Sequence, residues 1–381
     1  MMAAGTTVNV SDSAGNILFY CNGESVYNRL DVMMPHGDSL FGNFGSFTQH
    51  IEVVQSPGDD SIYFLFNPGT LVPGYYVLHP AVYSVLDMRL DNRLGDIDST
   101  RKNIPLPFAG TAFKTVTGTR HANNRDAWIV FRLLGPDSNF YASYMVTSAG
   151  VDTVPVLSPS LVSNNPIPPF NDPPNKFLRI SPDGHNLICL YYSDTMEVCY
   201  FNDTTGQVIP RFRYHSPGGM MTSAEFSIDS RLLYTGWGNN TLDQYDITAE
   251  DSASFAQSPI EVGTGAFTAH SAMQMGPDGK IYGTRDVTPY LWVVNFPSVR
   301  GIGCGFNPNG FFLSDPSHSD GLPQFIQRYK VYLHHEGDCA NDSILFIPDI
   351  WPPPDSLHWD FGDPASGAAN FSGLENTFHV Y

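Results

Sequence analysis

The sequence has little charge: 15% of its 381 residues are Asp, Glu, Lys or Arg, and only 19 are Lys or Arg. Against 38 acidic side chains this leaves a formal net charge of −19, which repels phosphate backbones and anionic lipid headgroups, so nucleic acid is not an expected partner. Uninterrupted apolar runs of about 18 residues are missing, and no membrane insertion through a helical span is expected. Five cysteines are too few for a disulfide scaffold, and none lie at zinc-type C-x-x-C spacing. Met1-Met2-Ala3-Ala4-Gly5 lacks the basic and apolar regions of a secretory leader.

What is abundant is turn and strand chemistry: 34 Gly, 30 Pro, 26 Phe and 19 Tyr. Such a composition suits many short strands joined by tight turns, an all-β chain. One unit recurs, an apolar strand running into an Asp-Gly-type turn from which a second strand leaves. It is read at Val8 to Tyr20, at Leu178 to Ile188, at Phe226 to Tyr234 and at Met273 to Tyr282. The turn residues Asp183, Asp229 and Asp278 repeat at the roughly 40 to 50 residues of a four-stranded propeller blade. Degenerate copies fit at Ile51 to Phe66 and Arg120 to Phe131, and Leu322 to Ile326 supplies a further inner strand.

These inner strands predict a seven-bladed β-propeller, with six blades as the alternative count, over residues 1–330. The chain is expected to begin directly on an inner strand, leaving the blade begun at Leu322 incomplete and its edge exposed. The Pro-rich stretch from Ser158 to Pro174 reads as a connection between blades. Residues 331–381 then read as part of a β-sandwich, too short for the roughly 80 to 100 residues that a whole one needs. Cys189 and Cys199 flank the turn Ser193-Asp194-Thr195 and could face each other across a hairpin as a disulfide, but two buried thiols are the simpler reading.

Leu357 to Pro364, with Trp359-Asp360-Phe361-Gly362-Asp363 at its centre, and Asn376 to Tyr381 resemble the W-D-F-G-D and H-x-Y motifs of polycystic-kidney-disease-like (PKD) domains. This implies a truncated immunoglobulin-like PKD domain in which the Trp packs the sandwich core. The segments Ser11 to Tyr20, Val26 to Arg29, Ser46 to Val54, Arg120 to Val130, Gly276 to Tyr282 and Gly321 to Gln327 resemble large surface proteins of gliding bacteria that use type IX secretion. In that family a propeller precedes PKD-like repeats. The resemblance implies a secreted or cell-surface protein, of which this chain is a fragment without leader or sorting domain, and it transfers no catalytic residues.

Propellers place ligands at the channel mouth, where loops entering the inner strands converge. On this alignment the rim carries Gln49, Arg120, His121, Lys176, Thr222 and His270, a set suited to an anionic or sugar ligand. His121 beside Asp126 would suit acid–base chemistry, but no nucleophile or second acid accompanies it, and a turn role for Asp126 is the simpler reading. The turns at Asp12 and at Asp59-Asp60 faintly resemble calcium loops but lack the distant bidentate Glu, so local backbone bonding explains them better. His334-His335 adjoins Glu336 and Asp338, yet neighbouring strand residues face opposite sides, which argues against a shared metal. Trp237 and Tyr192, if exposed, would stack on sugar rings.

The expectation is therefore a non-enzymatic extracellular binding or adhesion module directed at a carbohydrate or cell-surface protein, with PKD-like spacers. No cofactor is implied, calcium being the one candidate ion. The alternatives are a polysaccharide-acting propeller enzyme, hydrolase or lyase, with a channel-mouth site, and a purely structural scaffold.

Overall fold

The computed structural model describes residues 7–42, 49, 51–68, 80–107, 111–134, 138–162, 175–191, 194–217, 221–237, 240–265, 272–285, 288–313, 322–326, 330–337, 343–351, 354 and 356–381. The chain divides into two compact units, Met1–Ile326 and Gln327–Tyr381. Both are built from antiparallel strands, and no helix among the described residues is long and apolar enough to cross a membrane.

Among the described residues the larger unit contains six sheets in chain order. The first holds β1 (Val8–Ser11), β2 (Ile17–Cys21) and β3 (Val26–Asn28). The second holds β4 (Glu52–Ser56), β5 (Asp59–Asn67), β6 (Val82–Asp87), β7 (Asp96–Ile97) and β8 (Ile104–Pro105). In the third, β9 (Thr111–Arg120), β10 (Ala127–Leu134) and β11 (Asn139–Thr147) carry β12 (Gly150–Val151) and β13 (Val156–Pro159) at the far edge. The fourth holds β14 (Asn175–Ile180), β15 (Asn186–Tyr191), β16 (Thr195–Asn202) and β17 (Gln207–His215). The fifth holds β18 (Met221–Phe226), β19 (Leu232–Trp237), β20 (Thr241–Asp246) and β21 (Ile260–Thr264), and the sixth β22 (Met273–Met275), β23 (Ile281–Gly283), β24 (Tyr290–Val294) and β25 (Phe306–Phe312).

Period-2 alternation explains why the second strands carry apolar residues on both faces. In β10, Ile129 and Phe131 pack with Phe64, Phe66 and Val85 of the second sheet. Trp128 and Val130, on the other face, pack with Leu178, Leu187 and Cys189 of the fourth. Both faces are therefore buried. The same sharing of a core joins the first sheet to the second, the fourth to the fifth and the fifth to the sixth. Serial antiparallel meanders packed face to face, with the first strands β4, β9, β14, β18 and β22 in successive contact, make a β-propeller-like arrangement.

The repeated turns form as read. Ser181 N–H donates to Asn186 O at 2.8 Å, and Gly184 takes φ +78°. Ser230 occupies the glycine position of the next turn at φ +59°. Its hydroxyl accepts from Asp183 N–H at 3.0 Å, tying one turn to its neighbour and compensating for the left-handed backbone. Asp12 likewise serves its own turn, accepting from Ala14 and Asn16 N–H.

Gln324 N–H donates to Thr7 O at 2.8 Å, which sets the Leu322–Ile326 segment beside the residue that precedes β1. Of the two readings of the cysteine pair, the buried thiols hold. Cys189 pairs with Glu197 and Cys199 with Leu187, which offsets the thiols by two residues along the hairpin, and both are buried and free.

In the smaller unit β26 (Lys330–Glu336), β27 (Ser343–Trp351) and β30 (Thr377–Val380) form one sheet, and β28 (Trp359–Asp360) with β29 (Phe371–Ser372) a second. The W-D-F-G-D residues interlock. Trp359 Nε1 donates to Leu374 O at 2.8 Å, and Asp360 Oδ1 accepts from Gly362 N and from Asn370 Nδ2, each at 3.0 Å. The buried His379 ring stacks on Phe361 and lies 3.2 Å from Asp363 Oδ2.

Candidate functional site

The polar groups with the most unusual surroundings lie inside the larger unit, on its first strands. Arg179, on β14, is 5% exposed; its Nη2 donates to Gln274 Oε1 of β22 at 2.9 Å and lies 3.5 Å from Glu225 Oε2 of β18. The guanidinium also sits 5.0 Å from the Phe177 ring. A second buried carboxyl, Glu52 at the start of β4, feels the Arg179 charge and accepts from the N–H groups of Val53 and Gly118.

Burial dominates the ionisation of both acids. It pushes Glu52 up to about 7 from an ordinary 4.5, with Arg179 and the two backbone N–H groups opposing the rise. Glu225 is raised as well, again by burial, and is opposed by Arg179 and by the N–H groups of Met275 and Phe226. Two buried carboxyls facing one guanidinium cannot both be neutralised by it, so one of them holds or exchanges a proton near neutral pH.

The local sequence explains the placement. Arg179, Glu225 and Gln274 each stand two residues before the turn anchors Ser181, Ser227 and Gly276, whose N–H groups close the hairpins. Equal offsets put them at one level beneath the turns, in strands where every neighbour is apolar: Leu178-Arg179-Ile180, Ala224-Glu225-Phe226 and Met275 after Gln274. A lone polar residue at a constant distance from a repeated turn was the available signal, and rim reasoning passed over it.

Of the residues expected at the rim, the side chains of Gln49, Arg120 and His121 are described. Gln49 is 1% exposed and its amide binds the Leu178 backbone, donating to its carbonyl and accepting from its N–H, each at 2.8 Å. Arg120 and His121 belong to the opposite end of the strands: β9 finishes at Arg120, so they open the exit turn. The turn lies there as read, but the copy taken to start at Arg120 starts earlier, since β9 runs from Thr111 to Arg120. His121 Nε2 donates to Thr204 O at 3.1 Å while Nδ1 accepts from Asn123 N at 2.9 Å, and the ring stacks on Trp128. That bonding engages both ring nitrogens. Asp126 takes the turn role, held by Arg125 and Asn123.

Lys176 and Thr222 lie on β14 and β18, but their side chains are outside the described residues, as are those of Trp237 and His334. His270, Tyr192 and Asp338 lie wholly outside them. Among the described residues no group of three or more His, Cys, Asp or Glu is arranged to hold a metal ion; His335 and Glu336 are exposed, and Asp59 pairs with Arg89 at 3.0 Å.

A second buried network braces the third sheet against the fourth. Glu197 accepts from Arg132 Nη1 at 3.1 Å, Tyr141 OH at 2.8 Å, Ser160 Oγ at 2.7 Å and Leu161 N–H at 2.6 Å. Arg132 and Glu197 are both fully buried. With its carboxylate so fully used, the network fastens the chain beyond β13.

No family model and no curated protein matches this chain. Several solved structures are similar to it at low identity. A Bacteroides fragilis protein provisionally named a 6-phosphogluconolactonase is 13% identical with a TM-score of 0.44, over 99% of this chain and 96% of that one. The periplasmic gluconolactonase of Pseudomonas aeruginosa is 17% identical with a TM-score of 0.44, over 83% of each chain. A protein from Lactobacillus plantarum is 11% identical with a TM-score of 0.43, over 98% of this chain and 95% of that one. None of them lends a residue role to this chain.

Proposed function

We propose that this chain is a carbohydrate-directed propeller hydrolase whose working groups are Glu52 and Arg179. The observation that carries this reading is the pairing of two buried carboxyls, Glu52 and Glu225, with one guanidinium. A carboxyl that exchanges its proton near pH 7 is suited to activating water, and a fixed cation beside it is suited to holding the oxyanion of a carbohydrate ester, cyclic or open. The proposal includes a six-bladed propeller: the Leu322–Ile326 segment is the innermost strand of the first sheet, completing its set of four with β1, β2 and β3. It also reads the smaller unit as PKD-like and the chain as secreted or cell-surface.

The test is proton release at constant pH on glucono-1,5-lactone and on an acetylated monosaccharide. Glu52→Gln and Arg179→Met should each reduce turnover about 10²- to 10⁴-fold. Equal rates in wild type and variants would remove the reading.

The binding-module reading keeps one specific support, the burial of Glu52 at 2% and Glu225 at 0% exposure, which also suits a cluster that only braces the inner strands. A Glu52→Gln protein that is more stable, inert toward both probes and still retained on a surface-glycan array would select that reading.

A further inference from the structure

Gln324 is 1% exposed, and neither its Nε2 nor its Oε1 has a hydrogen-bond partner in the protein. A buried amide left in this state costs about 1–3 kcal/mol for each unsatisfied group. The backbone around it is settled: its N–H is spent on Thr7 O. Two residues on, Ile326 lies against Gly118, the glycine whose N–H is donated to Glu52. Through Gly118 the segment adjoins the Glu52–Arg179 cluster, where Arg179 Nε is likewise buried and unpaired.

We propose that Gln324 reads the ligand of this site, and that the ligand is a vicinal diol of monosaccharide size. A carboxamide presents one donor and one acceptor side by side. Adjacent hydroxyls present the complement, one oxygen accepting from Nε2 while its neighbour donates to Oε1. Arg179 Nε adds a charged donor for a further oxygen of the same molecule. An anion such as phosphate would use the donors but leave Oε1 facing negative charge, so the amide favours a neutral polyol face. This inference rests on the reading of the Glu52–Arg179 cluster as the site, and adds Gln324 as its specificity-determining residue.

The experiment is isothermal titration of the intact chain with D-glucose, D-galactose, D-mannose and myo-inositol, with cyclohexanol as a one-hydroxyl control, run beside the lactone assay. At least one polyol should bind while cyclohexanol does not, and Gln324→Leu should weaken that binding about tenfold to a hundredfold. Gln324→Glu, which keeps the volume and the acceptor but loses the donor, should fall between the two and guards against a Leu variant that fails to fold. Polyol binding unchanged in Gln324→Leu overturns the proposal. So does Glu52-dependent turnover without binding of any polyol, which leaves the cluster as the site and removes Gln324 from it. Absence of both turnover and binding overturns the two readings together.

Discussion

The side-chain amide of Gln49 hydrogen-bonds the N–H and the C=O of Leu178, both at 2.8 Å, from 129 positions away in the chain. Leu178 pairs with Cys189 on β15, and β14 is the edge strand of its sheet. Gln49 therefore does the work of an absent neighbouring strand, capping backbone groups that would otherwise lie buried and bare.

Gln49→Ala should accordingly destabilise the larger unit by about 2–4 kcal/mol, since it orphans one donor and one acceptor. Urea unfolding followed by tryptophan fluorescence measures this. A loss below about 0.5 kcal/mol would show that water substitutes freely for the amide.

Glu52 makes stability depend on pH. Its folded value of about 7 exceeds the ordinary 4.5, so the folded state binds the extra proton. The contribution is full below about pH 4.5, declines as pH rises, and is lost above about pH 7, a swing of about 3 kcal/mol. Glu52→Gln should flatten that part of the stability–pH profile and raise stability above pH 7, readable as the melting temperature at half-unit steps from pH 4 to 8.

Glu197→Gln should cost about 3–5 kcal/mol, because it leaves the Arg132 charge buried without its partner. Replacing both by apolar residues, Arg132→Met with Glu197→Leu, should recover much of the loss. Equal destabilisation in the single and double variants would mean that the Ser160 and Leu161 bonds, and not the ion pair, carry the energy.

His121→Ala should leave lactone turnover within twofold of wild type while lowering stability by about 1 kcal/mol through the lost bonds to Thr204 and Asn123. A large fall in turnover with unchanged stability would restore His121 to the site.

Much of this architecture was legible in the chain. The Asp-Gly turns located the hairpins because glycine supplies positive φ and aspartate bonds its own backbone, both local effects. What misled was the extent of the first strand: the copy was read from Arg120, which is the last residue of β9. Leu322–Ile326 was read as an inner strand, but Thr7, whose carbonyl accepts from Gln324 N–H, is over 300 positions distant, and a contact at that range leaves no local trace.

The sequence by itself determined an all-β chain of repeated hairpins, since strand propensity, turn chemistry and period-2 burial act over a few residues at a time. Only the tertiary structure decided that Arg179, Glu225, Gln274 and Glu52, drawn from four sheets, share one buried environment. The physical reason is that burial and proximity set their ionisation and bonding, and neither belongs to a residue until distant strands have packed around it.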